Sequence, residues 1–132
     1  MSEPDCLQAT QAGQQNKQEA SRCDSPKAGD IIIIDFNPQS GHEIQKRRPA
    51  LVVSNDSFNR ITGMAVVCPI TSTRRDIPYH VSLDSSTVTQ GEILCEQAKS
   101  LDYESRGWYT AEVVPDKIFN QVIDILEMII GK

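Results

Sequence analysis

The stretch Gly41–Thr71 reads GHEIQKRRPALVVSNDSFNRITGMAVVCPIT. It contains two short apolar runs, Pro49–Ser54 and Gly63–Thr71, with a polar segment between them. Val, Ile and Thr fit a pleated, half-buried surface, so both runs read as strands. Asn55–Asn59 has room for one short helical turn. Pro69 has no N–H to give to a neighbouring strand, which suits an edge or a bulge rather than a central position. Immediately upstream stand His42, Glu43 and the basic series Lys46, Arg47 and Arg48. A loop that gathers an ionisable His, a carboxylate and guanidinium groups beside a rigid scaffold suits chemistry on a phosphate.

Working outward, Asp30–Phe36 is a β-branched run bounded by Gly29 and by Asn37-Pro38, and it reads as a buried strand. Asn37–Arg47 is rich in Pro, Gly and polar residues and reads as a loop. Past the third strand, Thr73–Ile77 is a polar, basic loop. Tyr79–Leu83 alternates as a strand does, Ser85–Gln90 is a turn, and Gly91–Gln97 and Ala98–Leu101 continue as strand. Residues 104–110 read as irregular, with the single Trp108 among them. The chain then changes period. Apolar residues at 118, 119, 122, 125, 126, 129 and 130 repeat as one face of a helix. Pro115 suits its first turn, Asp116 the positive end of its dipole and Gly131 its stop.

Five or six short strands followed by one helix predict a mainly β domain with a C-terminal helix. The architecture expected is a small antiparallel sheet, curled or partly open as a barrel, with the helix laid over it. No strand–helix–strand rhythm, GxGxxG or P-loop is present, so a parallel sheet and nucleotide cofactors are not expected. At 132 residues the chain has room for one domain. Residues 1–28 hold five glutamines and only two large apolar side chains, Met1 and Leu7. That composition cannot offset the entropy of ordering, so 1–28 is expected to be a flexible tail and 29–132 the folded body.

The tail lacks the basic start and apolar stretch of an export signal, and no run is long enough to span a bilayer. A cytoplasmic protein with no membrane partner is therefore expected. The four cysteines, Cys6, Cys23, Cys68 and Cys95, form no C-x-x-C pair, and His42 and His80 lie far apart. No metal site is expected, and Cys68 and Cys95 read as small buried residues. The net charge of −5 argues against a nucleic-acid partner, but its distribution argues the other way. Between Lys46 and Arg75 there are six basic residues and one acid, Asp56, a local balance of +5. Such a basic face on an acidic chain can hold a phosphate backbone, or it can be a scatter of solvated charges.

Arg48 precedes Pro49, which restricts Arg48 to extended geometry at the mouth of its strand. Thr71 ends the next strand. If the two strands are neighbours, Arg48 and Thr71 converge at one end of the sheet. Each residue taken alone has an ordinary reading that is favoured: a surface Arg, a strand-end Thr, a loop His at 42, a solvated acid at 43.

The chain from Gly29 to about Lys132 resembles the MazF/PemK family of toxin endoribonucleases. The resemblance is carried by GDIIIIDFNP at 29–38, GHE at 41–43, RPALVVS at 48–54, FN at 58–59, TGM at 62–64, PIT at 69–71, EQAKSLD at 96–102 and the closing helix. It implies a homodimer of SH3-like barrels that cleaves single-stranded RNA without a metal or other cofactor and leaves a 2′,3′-cyclic phosphate. It implies catalytic roles for Arg48 and Thr71, with Glu43 supporting the site and His42 open as a proton carrier. One branch of the family uses an R-C-D-Q segment, which here reads Leu94-Cys95-Glu96-Gln97. Leu94 cannot bind phosphate, and Glu96 is one methylene longer than Asp, so that branch's proton relay does not carry over intact. Lys46, Arg47, Arg74 and Arg75, with Glu96 and Gln97, are then expected to contact RNA. The resemblance also implies a cognate antitoxin with an acidic segment, which would supply the only link to DNA.

Three other readings compete. A gyrase poison of the CcdB type shares the fold but relies on a Trp near its C-terminus, whereas Trp108 lies upstream of the helix. A peptide-binding SH3-like module needs an aromatic groove, and seven aromatic residues are spread along the whole chain. A catalytically weakened relative that mainly binds its antitoxin is kept open by Leu94.

Overall fold

The structure, a computed structural model, describes residues 25–36 and 47–131. The expected tail up to Asp24 and the loop bearing His42, Glu43 and Lys46 lie outside the described residues. The elements are β1 (Asp30–Asp35), β2 (Arg47–Val52), α1 (Asp56–Thr62), β3 (Met64–Thr71), β4 (His80–Ser82), β5 (Glu92–Leu94), β6 (Lys99–Asp102), β7 (Trp108–Val113) and α2 (Asp116–Ile130). Short 3₁₀ turns at Cys95–Gln97 and Tyr103–Ser105 flank β6.

All pairings are antiparallel, in the order β4-β5-β3-β2-β1-β7, with β6 also on β3. The architecture is thus the expected mainly β fold with a C-terminal helix. The strand order is open, with β4 and β7 as its ends, so the ladder does not close into a barrel.

The unbroken isoleucine run of β1 follows from burial on both faces. Ile31 joins a cluster with Leu51, Cys68, Ile70, Ile93, Cys95 and the α2 residues Ile118, Val122 and Leu126. Ile32 and Ile34 point the other way, to Ala50, Val52, Ala65, Val67, Leu101, Tyr103 and Trp108. Each large side chain so buried contributes about 1.5–3 kcal/mol relative to exposure. Helix α2 covers the first cluster with Ile118, Val122 and Leu126, with Phe119 and Ile125 packed beside them, while Ile129 and Ile130 of the expected face are exposed.

Helix α1 runs three residues past the expected turn because its ends are well made. Asn55 caps it by accepting the Phe58 N–H at 2.8 Å, and Gly63 closes it in the left-handed conformation, φ 70°. Asn59, fully buried, bonds the carbonyls of Pro26 and Ser54. Ser25 donates to Asp56 at 2.8 Å. The body therefore begins by Ser25, inside the segment read as tail.

Pro69 departs from expectation. It lies on β3, which has neighbours on both sides, and pairs with Ala50 of β2. On the other side β3 pairs with β6 from Met64 to Val67 and with β5 from Ile70 to Thr71. The missing donor at 69 coincides with the gap between these two partners, where no ladder bond is needed. Residues 108–110, read as irregular, belong to β7. The strand expected over Gly91–Gln97 ends at Leu94 and turns as a 3₁₀ helix.

Candidate functional site

The register sets candidate residues in one row across the sheet. Trp108 pairs with Ile34, Ile34 with Arg48, Thr71 with Glu92, and Glu92 with Ser82. The β2–β3 ladder ends at Ala50↔Pro69, two residues short of Arg48 on one strand and of Thr71 on the other, so both lie at the same end of that pair of strands. Side chains two residues apart on a strand share a face, so Arg48 lies on the face of Ala50 and Thr71 on that of Pro69. Arg48 is exposed and Thr71 half-buried, so both are open to a ligand on that face. Arg47, the preceding residue on the strand, points to the other face and stands opposite Asp35.

The Thr71 hydroxyl accepts the Thr73 N–H at 3.2 Å, which leaves its own proton to donate outward. The carbonyl of Thr71 is gripped from below by Gly91. A Cβ built on Gly91, φ 125°, would lie 2.0 Å from that oxygen. Only glycine allows the two backbones to approach so closely in that conformation.

Beyond Thr71 the chain enters the basic loop with Arg74 and Arg75, both exposed. The Arg74 guanidinium reaches the Leu83 carbonyl at 3.4 Å. The loop's backbone is fastened by Glu92, whose side chain has no exposure. Its carboxylate accepts the Arg75 N–H at 3.1 Å and the Asp76 N–H at 3.0 Å, and it bonds His80 Nδ1 at 2.8 Å. Asp76 takes up a left-handed φ of 56°, which aspartate tolerates, and this turns its N–H toward the carboxylate. The Arg75 N–H, followed by the other donors, holds Glu92 ionised down to about pKa 2.

His80 Nε2 meets Glu96 at 3.0 Å, completing a Glu92–His80–Glu96 series. The imidazole is almost wholly covered, and burial alone would lower its pKa. The two carboxylates, Glu96 and Glu92, outweigh burial and raise it above the ordinary 6.5. Glu96 is thus engaged with His80, while Gln97 beside it is exposed.

Sequence reasoning missed Glu92, His80 and Arg106. Glu92 carried a signal, a single charge between Gly91 and the apolar Ile93-Leu94. Arg106 donates to the carbonyls of Asp35 and Phe36 at 3.1 and 2.8 Å and to Asp102 at 2.7 Å. It thereby anchors the point where the chain leaves β1 toward residues 37–46. Among the described residues no group of three or more His, Cys, Asp or Glu is arranged to hold a metal ion, and no helix is long and apolar enough to cross a membrane.

Comparison with known proteins matches residues 27–130 to the model of the PemK-like, MazF-like toxins of type II toxin–antitoxin systems. The endoribonuclease PemK of Escherichia coli is 38% identical over 106 residues, covering 77% of this chain and 80% of that protein. The crystal structure of MazF from Deinococcus radiodurans superposes with a TM-score of 0.73 at 34% identity, over 82% of this chain and 98% of that one. A MazE–MazF complex from the same organism gives 0.72 at 30% identity, over 81% and 96% of the chains.

Proposed function

This chain belongs to the PemK-like, MazF-like toxins of type II toxin–antitoxin systems, and we propose that the row holding Arg48 and Thr71 is where it cuts RNA. The protein acts as an endoribonuclease toxin, as its relatives named PemK and MazF do. The site assignment is supported by the β2–β3 register, whose last pair, Ala50↔Pro69, leaves Arg48 and Thr71 two residues beyond it on their strands.

The chemistry follows from the donors available. The ribose 2′-oxygen attacks the adjacent phosphorus, and the bond from phosphorus to the 5′-oxygen breaks. The products are a 2′,3′-cyclic phosphate and a 5′-hydroxyl. Negative charge grows on the non-bridging oxygens as the attack proceeds. The planar Arg48 guanidinium supplies two donors to those oxygens, and the Thr71 hydroxyl supplies another. His42 is proposed as a proton carrier, with Glu43 supporting the site. Lys46, Arg47, Arg74, Arg75 and Gln97 are proposed to hold phosphates and bases on either side, since single-stranded bases can be splayed and read.

The working unit is proposed to be a homodimer, neutralised by a cognate antitoxin whose acidic segment competes with RNA for the basic face. The MazE–MazF complexes among the similar structures support that partnership. Incubation with a long single-stranded RNA in EDTA, followed by mapping of new ends, tests the reading. Cuts at a recurring motif with cyclic-phosphate ends are expected. RNA left intact by a folded protein that still arrests growth would overturn it.

A further inference from the structure

A carboxylate buried in an apolar strand is unfavourable unless its charge is fully bonded. Glu92 is fully bonded, and the identity of its donors is informative. Two of its three partners are the backbone N–H groups of Arg75 and Asp76. Its own backbone pairs with Thr71 on one side and Ser82 on the other. One residue thus ties the strand end that carries Thr71 to the loop that carries Arg74 and Arg75. The third partner, His80, extends the tie to Glu96 at the surface. A histidine can donate to two carboxylates at once only when both ring nitrogens carry protons.

We propose that Glu92 is a positioning residue for the RNA, holding residues 72–79 so that Arg74 and Arg75 meet phosphates beside the scissile bond, with His80 as its proton-dependent link to Glu96. This rests on the RNA-cleaving reading above. Glu92 and His80 do not touch the reacting atoms. Their effect falls on substrate binding, and it weakens when His80 gives up its second proton. The groups facing His80 are Glu92 on β5 and Glu96 and Cys95 on the 3₁₀ turn, with the Cys68 thiol of β3 behind Cys95. Asp84, Lys117 and Asp124 line the groove of about 620 Å³ that β4 shares with α2.

The test is steady-state RNA cleavage from pH 5.5 to 9 by the full chain and by Glu92→Gln and His80→Asn. Amide exchange at Arg75 and Asp76 is measured alongside. Glu92→Gln presents an amide nitrogen to the Arg75 or the Asp76 N–H, whichever way the amide is turned, so KM should rise about tenfold with kcat changed far less, because the misplaced contacts bind rather than react. Wild-type KM should rise with pH, and His80→Asn should flatten that rise. The two amides should exchange slowly in the wild type and quickly in Glu92→Gln. A folded Glu92→Gln variant with wild-type KM and pH profile overturns the proposal. If that variant does not fold, fast wild-type exchange at both amides, or an unaltered pH profile in His80→Asn, overturns it instead. A wild type that cleaves no RNA refutes the RNA role together with the reading it rests on, and exchange then decides the fastening of the loop separately.

Discussion

Thr71 and Glu92 are direct cross-strand partners in the β3–β5 ladder. A half-buried threonine and a carboxylate withdrawn from water therefore share one rung, and the geometry of one constrains the other.

Arg48→Ala should lower RNA cleavage by about 10²–10³ with the fold intact, as loss of one preorganised donor to a developing oxyanion does. Thr71→Ala should cost less. If the two serve the same phosphoryl oxygens, the double variant should fall short of the product of the single effects. Rates from a gel or fluorescence cleavage assay decide this, and a fully multiplicative double variant would separate their roles.

Gly91→Ala should displace the end of β3. A side chain at φ 125° costs about 1–3 kcal/mol in backbone strain alone, before its collision with the Thr71 carbonyl. Urea unfolding should show the loss, and cleavage per folded molecule should also drop. A stability and activity equal to wild type would show that Thr71 is not held from that side.

Stability should have a plateau between about pH 4.5 and 6.5, with a fall on either side. Glu92, with its pKa lowered from 4.5 to about 2, contributes stability that is present above 4.5 and lost as pH falls toward 2. His80, with its pKa raised above 6.5, contributes stability that is present below 6.5 and lost as pH climbs through the raised value. Denaturation midpoints across pH check both limbs. In His80→Asn the alkaline limb should shrink, and the acid limb should shrink less, because the Arg75 and Asp76 N–H groups still hold the Glu92 carboxylate.

Ile118→Ala, beneath α2, should cost about 2–5 kcal/mol without altering cleavage by the folded fraction. Denaturant titration with parallel activity measurement tests whether the α2 side of the sheet is separate from the face bearing Arg48.

The sequence was most legible where burial is one-sided or total. The isoleucines of β1, the runs of β2 and β3 and the helical period of α2 announce themselves through apolar pattern. β7 does not, because four of its six residues, Tyr109, Thr110, Ala111 and Val113, are exposed and Glu112 is half-buried, which leaves only Trp108 to mark an inward face. The strand expected to continue through Gln97 ends earlier because Cys95 remains in the core while the backbone turns, a change that apolarity cannot signal. Arg48 and Thr71 could be singled out in the sequence as candidates through their strand-end positions. The part played by Glu92 and His80 could not, since it lies in partners 12 to 17 residues away, and the lone charge beside Ile93-Leu94 marks burial without naming those partners.

The change of partner along β3 makes the molecule two ladders sharing one strand. β6 pairs with Met64–Val67 and β2, which leads on to β1 and β7, with Val67–Pro69, whereas the small β4–β5 hairpin hangs on the last two paired residues of β3. That hairpin and its connections can lengthen, shorten or change composition without a new register for the larger ladder. That freedom is bounded by Val81, Leu83 and Ile93, which fill the core beside Ile31 and α2, so variation can gather only in the turns while the interior keeps its packing.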